Sequence, residues 1–293
     1  MSLDGARLDL DHVRQAVHDS PAAEVATAAG DRPRTYPLSP FYDEEREAVV
    51  VTSPPAYAGK VDTVRENPKL SLLFYDADEP FVLYGRGTVR DDDLEANAEY
   101  VQDLIRSEPP SEKREGFTKT SSVLDSRIGR FLFGWYALRL VVEVEPVRVE
   151  PLGDARPGSL PPWPEQGIDT TEAESYDRLA LTVVDEDGWP TTRTVRGVER
   201  QGADTLALET PLPVTDGQSA CLLCHWHTPD LSKLGQRLFR GRVSTTDGAD
   251  RVRFEPGSST SMRNATLLDR LKFIWTGKRR TRAYFRRQEE PGA

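Results

Sequence analysis

The stretch ACLLCHWHTPD, residues 220–230, holds both cysteines of the chain, Cys221 and Cys224, and two of its four histidines, His225 and His227. Cys221-Leu222-Leu223-Cys224-His225 reads as C-x-x-C-H, the attachment signature of a c-type haem, which needs both thiols on one macrocycle. A second chemistry uses the same stretch. Cys221, His225 and His227 differ by even numbers, so on a strand they share a face and offer three nitrogen and sulfur ligands to zinc. Which reading survives depends on the element that carries them.

Residues 9–19 place Leu10, Val13 and Val17 on one face of a short helix. Three strands are expected next: AEVATA, then RTYPLSPFY beyond the Gly30–Pro33 turn, then AVVVTS. A short helix around Val61 and Val64 ends at Asn67-Pro68. KLSLLFYD and FVLYGRGTVRD read as strands, DDDLEANAEYVQDLIR and SSVLDSRIGRFLFGWY as helices, and ALRLVVEVEPVRVE as a further strand. Residues 151–175 are rich in proline and glycine and read as a linker without regular structure.

The strand pattern then starts again. ATAAGDRPRTYP is echoed by LTVVDEDGWPTTRTV, AVVVTSP by LALETP, and KLSLLFYD by SACLLCHW. LYGRGTV is echoed by LFRGRVST, and RLVVEVEP by DRVRFEP. Five segments in one order make an internal repeat. The expected fold is mainly β, two antiparallel β-barrel halves packed as a pseudo-dimer within one chain. Its parts are residues 1–150, the linker 151–175, a second half over 176–256, and a basic amphipathic helix over 257–293.

The repeat aligns Cys221 with Ser71, Cys224 with Phe74 and His225 with Tyr75, inside a strand. Cys221 and Cys224 then point to opposite faces, which denies a haem its two attachment points. Same-face residues stand about 7 Å apart along a strand, which is awkward for a compact zinc site. The expectation is no metal, with the cysteines as small buried residues and the histidines ending the strand at a cleft.

Composition narrows the classes further. The net charge of −10 argues against a general nucleic-acid binder. No apolar run is long enough to span a bilayer, and the N-terminus lacks a signal-peptide pattern, so a cytoplasmic protein is expected. Residues 257–293 carry a net +6 and the remainder −16. Leu267, Leu271, Ile274 and Trp275 fall at helical spacing in that basic tail. It suits weak contact with an anionic membrane surface, while docking onto the acidic body is the favoured reading.

The first half resembles the pyridoxamine 5'-phosphate oxidase-like family of flavin-binding split β-barrels. The resemblance rests on RTYPL (34–38), VVVTS (49–53), Lys60, ENPKLSLLF (66–74) and GRGTVRDD (85–92), and covers about residues 20–150. It implies that Arg34, Thr52, Ser53 and Lys60 hold the phosphate of flavin mononucleotide (FMN). Lys60 would open a helix whose N-terminus favours an anion, and Arg34 would offer a fork to the phosphate. Family sites lie between subunits, so the second half would stand in for a partner. Arg193, His225, Trp226 and His227 become candidates for the far wall.

The departures are specific. The loop from Thr52 to Lys60 is two residues longer than in the true oxidases. Ser39 stands where they carry a lysine, and Pro80 falls near the place of their glutamine, so pyridoxamine phosphate oxidation itself is not expected. The resemblance implies an oxidoreductase using FMN, or the deazaflavin F420, on a small-molecule substrate. The alternative is a non-catalytic split barrel that binds a flavin or haem. A monomeric pseudo-dimer and a homodimer are both open. No residue stands out as general acid or base; in flavin chemistry the cofactor performs the redox step.

Overall fold

A computed structural model describes residues 9–124, 126–153, 158–246, 250–264 and 266–289. The chain begins with α1 (Leu10–Asp19), capped by the Asp9 carboxylate, which accepts from the amides of Asp11 and His12. The first half continues with β1 (Ala23–Ala29), β2 (Arg32–Leu38), β3 (Pro40–Asp43), β4 (Ala48–Ser53), α2 (Gly59–Glu66), β5 (Lys69–Phe74) and β6 (Phe81–Arg90). Then come α3 (Leu94–Ser107), α4 (Glu112–Val123), α5 (Arg127–Ala137) and β7 (Leu140–Pro151). The second half holds α6 (Thr170–Ser175), β8 (Arg178–Val184), β9 (Pro190–Thr194), β10 (Gly197–Arg200), β11 (Leu206–Glu209), β12 (Gln218–His227), β13 (Leu234–Thr245) and β14 (Arg251–Asn264). The long helix α7 (Leu267–Glu289) closes the chain.

The strands form two curled, antiparallel, seven-stranded half-barrels. Their orders are β2-β1-β5-β6-β7-β4-β3 and β10-β11-β14-β13-β12-β8-β9. Read backwards, the second is the first with each strand replaced by its repeat counterpart. The five echoed segments all fall on counterpart strands. Even the irregularities recur. The β6–β7 register shifts between Tyr84 and Gly85, and the β13–β14 register between Arg240 and Gly241. Both glycines admit a close backbone, since a Cβ on Gly85 would lie 2.8 Å from the Glu145 carbonyl and one on Gly241 2.1 Å from that of Glu255. Gly241→Ala is therefore expected to destabilise the chain by about 1–3 kcal/mol through overpacking at the bulge. An unchanged denaturation midpoint would show that the bulge tolerates a methyl group.

Each half-barrel has its own core. The first packs Val25, Val51, Leu70, Leu72 and Leu83 with Val13 and Val17 of α1 and Val61 and Val64 of α2. The second packs Leu181, Leu222, Cys224, Phe239 and Phe254 with Trp163 and Ile168. Segment 151–175 thus differs from a structureless linker. Its described part forms a 3-10 turn at Pro164–Gln166 and α6, because Trp163, Ile168 and Ala173 are apolar enough to cover the open side of the second sheet. Asp169 caps α6 by accepting from the Glu172 amide. The helix expected over residues 121–136 is two helices, with the Ser126 side chain capping α5. β14 runs on to Asn264, paired along β13, so the terminal helix starts at Leu267.

The halves meet through the faces of β1, β2 and β5 on one side and β8, β9 and β12 on the other. Buried hydroxyls lie at the meeting line: Thr35 to Thr182 at 2.6 Å, Thr182 to Thr192 at 2.9 Å, and Ser71 to Thr192 at 3.4 Å. Ser71 and Cys221 occupy equivalent places, and the Cys221 thiol meets Thr35 as Ser71 meets Thr192. This is the pattern of a two-fold axis within one chain. α7 folds back onto the first half, with Phe273 5.2 Å from the Trp135 ring of α5 and stacked on Tyr57. Among the described residues no helix is long and apolar enough to cross a membrane.

Candidate anion-binding site between the repeats

Thr52 and Ser53 end β4, and Pro54-Pro55 then break the strand into a 3-10 turn, Pro55–Tyr57, that leads into α2. The Ser53 hydroxyl is spent on this turn, donating to the Tyr57 carbonyl at 3.3 Å. Lys60, in the first turn of α2, carries its ammonium over two aromatic faces, 4.5 Å from the Tyr36 centroid and 5.8 Å from that of Tyr57. Ring faces attract a cation, but no described residue gives it a carboxylate or a hydrogen-bond acceptor. Burial pushes its pKa down to about 8. Thr52, Thr27 and Lys60 line a cavity of about 20 Å³, room for about one water.

Three further cations lie on the neighbours of Lys60 or face Cys221. Arg34 on β2 donates to the Gly59 carbonyl at 3.5 Å, beside Lys60. Arg280 of α7 lies over the Tyr57 ring at 5.4 Å. Arg240 on β13 sits opposite Cys221, and its Nε is buried without a hydrogen-bond partner. Arg34 and Arg240 both favour the Cys221 thiolate, yet burial prevails and raises that thiol to about 11. None of these four cations forms an ion pair with a described residue. Arg34 and Lys60 share the Gly59 turn, Arg280 and Lys60 share the Tyr57 ring, and Arg34 and Arg240 both act on Cys221; this group of cations is a candidate site for an anion.

The equivalent place in the other half is filled by the protein itself. Arg193 holds the register position of Tyr36, opposite Leu181 as Tyr36 is opposite Val25. It donates to the Tyr84 hydroxyl at 3.4 Å and the Thr192 carbonyl at 2.9 Å, and pairs with Glu150. Arg148 and Trp189 close on the Tyr84 ring at 3.8 and 5.9 Å. Arg193 is thus satisfied within its own cluster and makes no contact with Lys60 or Arg34 among the described residues.

The β12 residues split by face. Cys221 lies among residues against the first half, and Cys224 lies in the second core. The two thiols cannot reach one macrocycle edge. Burial raises the Cys224 thiol further still. His225 bonds through Nε2 to Glu24 Oε1 of β1 at 2.8 Å, and both side chains are fully buried. The His227 ring lies 5.9 Å from that of His225. Its pKa is lowered, first by burial and then by Arg178 and His225. Trp226 points the other way, onto the second core, and borders a cavity of about 180 Å³ with Tyr176, Arg237 and Arg263. No group of three metal-binding side chains comes together among the described residues.

The structure thus brings together Arg34, Thr52, Ser53 and Lys60, and places Arg193, His225, Trp226 and His227 elsewhere. Sequence reasoning missed Arg240, Arg280, Tyr36, Tyr57 and Glu24. Pairing β12 with β13 across their hairpin would have set Arg240 opposite Cys221. Nothing local marks Arg280, because helix docking brings it in.

No family model matches the chain, and no curated protein matches it. Similar solved structures include a pyridoxamine 5'-phosphate oxidase-related, FMN-binding protein from Nostoc punctiforme, 15% identical, covering 67% of this chain and 100% of its own, with a TM-score of 0.33. An FAD-binding protein from Mesorhizobium loti is 16% identical over 48% of this chain and 90% of its own, with a TM-score of 0.31. An F420 reductase is 19% identical over 46% of this chain and 94% of its own, with a TM-score of 0.28. The tandem half-barrel fold is established by the strand order and not by these likenesses.

Proposed function

We propose that the chain binds a flavin mononucleotide by its phosphate at Lys60 and serves as a flavin-dependent oxidoreductase for a small molecule. The observation that carries the reading is the Lys60 ammonium, held over Tyr36 and Tyr57 without an acceptor, with Arg34, Arg240 and Arg280 unpaired nearby. A phosphate dianion would supply the missing charge and oxygens. Lys60 and Arg34 would hold it, Thr52 would add a hydroxyl, and Arg240 would approach from the second half. The fit concerns the phosphate: the enclosed space of about 20 Å³ is too small for a three-ring system, which would have to lie outside it. Bound there, the flavin supplies the hydride or electron transfer. The chain's own residues bind and orient it, and α7 shields the Tyr57 side from water. With the equivalent place filled by Arg193, Glu150 and Trp189, one cofactor per chain is expected.

FMN titrated into the pure chain should saturate near one per chain, with its fluorescence changed on binding. Lys60→Ala should weaken binding about 10- to 100-fold, the worth of a charge-assisted hydrogen bond. Undiminished binding in that variant would remove the proposal. Parallel titration with F420 separates the two phosphate-bearing cofactors. Bleaching of the bound flavin by NAD(P)H separates an enzyme from a carrier.

A further inference from the structure

We infer that the outer face of α5 and α7 is a docking surface for an anionic lipid membrane. The inference is independent of the flavin reading. α7 has two faces. Gly277, Thr281 and Tyr284 are buried against the body, and Gly277 lies so close to Trp135 of α5 that a Cβ there would meet the indole at 2.1 Å. The opposite stripe is unpartnered. Leu268, Leu271 and Trp275, at helical spacing, are each more than half exposed, as are Leu267 beside them and Ile128 and Phe131 of α5. Lys278, Arg279, Arg282 and Arg286 continue the same stripe toward the C-terminus. Lys278 lies over the Phe131 ring at 3.7 Å and Arg279 over Trp275 at 5.7 Å. None of these four basic residues pairs with a described carboxylate.

Such a surface asks for an occupant that takes large apolar side chains and cations together. The headgroup region of an anionic bilayer does both: it admits Trp, Phe and Leu to the acyl boundary and pairs Lys and Arg with phosphates. A second copy meeting it through the apolar part of this face would cover Leu268, Leu271 and Trp275 but bring no phosphate to Lys278, Arg279, Arg282 and Arg286, which an anionic bilayer supplies together with the apolar boundary. Nucleic acid would engage the arginines but leave Leu268, Leu271 and Ile128 exposed. Charge also fixes the orientation. α7 holds eight Lys and Arg against Asp269 and Glu289, while residues 1–256 carry −16. An anionic surface therefore attracts the helix and repels the body.

The test is sedimentation of the full chain with vesicles of phosphatidylcholine alone and of phosphatidylcholine with phosphatidylglycerol in equal parts. The chain should sediment with the anionic vesicles, lose that binding in high salt, and ignore the neutral ones. Leu271→Ser with Trp275→Ser should weaken partitioning at least about tenfold. Neutralising Lys278, Arg279 and Arg282 to Gln should weaken it about fivefold per charge. Leu271, Trp275, Arg279 and Arg282 are exposed and Lys278 is half-buried against Phe131, and unchanged melting curves would confirm that the variants fold. No binding to anionic vesicles, or binding that both variants retain, overturns the inference. So does self-association that Leu271→Ser with Trp275→Ser abolishes, or capture of duplex DNA, where vesicles are not bound.

Discussion

His225→Ala is expected to lower the stability of the chain by about 1–3 kcal/mol, the cost of leaving the buried Glu24 carboxyl without its hydrogen-bond donor. The Nε2 of His225 lies 2.8 Å from Glu24 Oε1, and each side chain is about as inaccessible as the core around it. Glu24 belongs to β1 and His225 to β12, so the bond ties one half-barrel to the other. Glu24 Oε2 and His225 Nδ1 have no hydrogen-bond partner among the described residues. With the imidazole gone, the carboxylate would keep no hydrogen bond from a described residue. A loss of this size is a large part of the roughly 5–15 kcal/mol that holds a domain folded. Glu24→Ala combined with His225→Ala should recover much of it, because the buried carboxyl without a hydrogen-bond donor is then absent. Urea unfolding of wild type, both single variants and the double variant completes the cycle. If His225→Ala unfolds at the wild-type midpoint, the pair does not hold the halves together.

The second large effect is a dependence of flavin binding on pH. Burial holds Lys60 near a pKa of about 8, against an ordinary 10.5. The phosphate is a dianion above about pH 6, so the lysine sets the behaviour at higher pH. The dianion binds the ammonium form and raises its pKa, so above pH 8 binding must take up a proton. Affinity should be flat near pH 7 and fall by about tenfold per pH unit above about 8, until the pKa of the bound state is reached. Lys60→Arg keeps its charge throughout this range and should remove the bend at pH 8. A wild-type affinity that stays constant to pH 9.5 would mean that Lys60 does not meet the phosphate. The ligand-free chain has the linked signature. Between about pH 8 and 10.5 the unfolded lysine binds more proton than the folded one, so stability rises with pH across that window.

These two expectations differ in how far the sequence reaches them. Lys60, Thr52, Ser53 and Arg34 stand within one half and are proposed by the family resemblance of that half; the local pattern gives only the elements that carry them, a strand end, a proline-broken turn and a short helix. The far wall was not reached in this way. Its candidates were chosen because β12 corresponds to β5, and correspondence does not say which way a strand presents each side chain to the other half. Trp226 turned to its own core because alternation along β12 puts it on the face of Leu222 and Cys224. His225 kept the inter-repeat face, but Glu24 claimed it.

By itself, the sequence pointed to two strand-rich halves whose segments recur in one order along the chain, and to the opposite facing of Cys221 and Cys224, while the sheet order and the break of RTYPLSPFY into β2 and β3 came from the structure. The two halves and the opposite facing follow from periodicity and repetition, which are properties of neighbours along the chain. Tertiary structure alone decided that Arg193 is consumed by Tyr84 and Glu150, that Arg280 lies over the Tyr57 ring beside which Lys60 also sits, and that Leu268, Leu271 and Trp275 are left uncovered. The physical reason is that each of these depends on which surfaces meet. A cation is paired or unpaired, and an apolar stripe covered or bare, only once segments far apart in sequence are packed against each other.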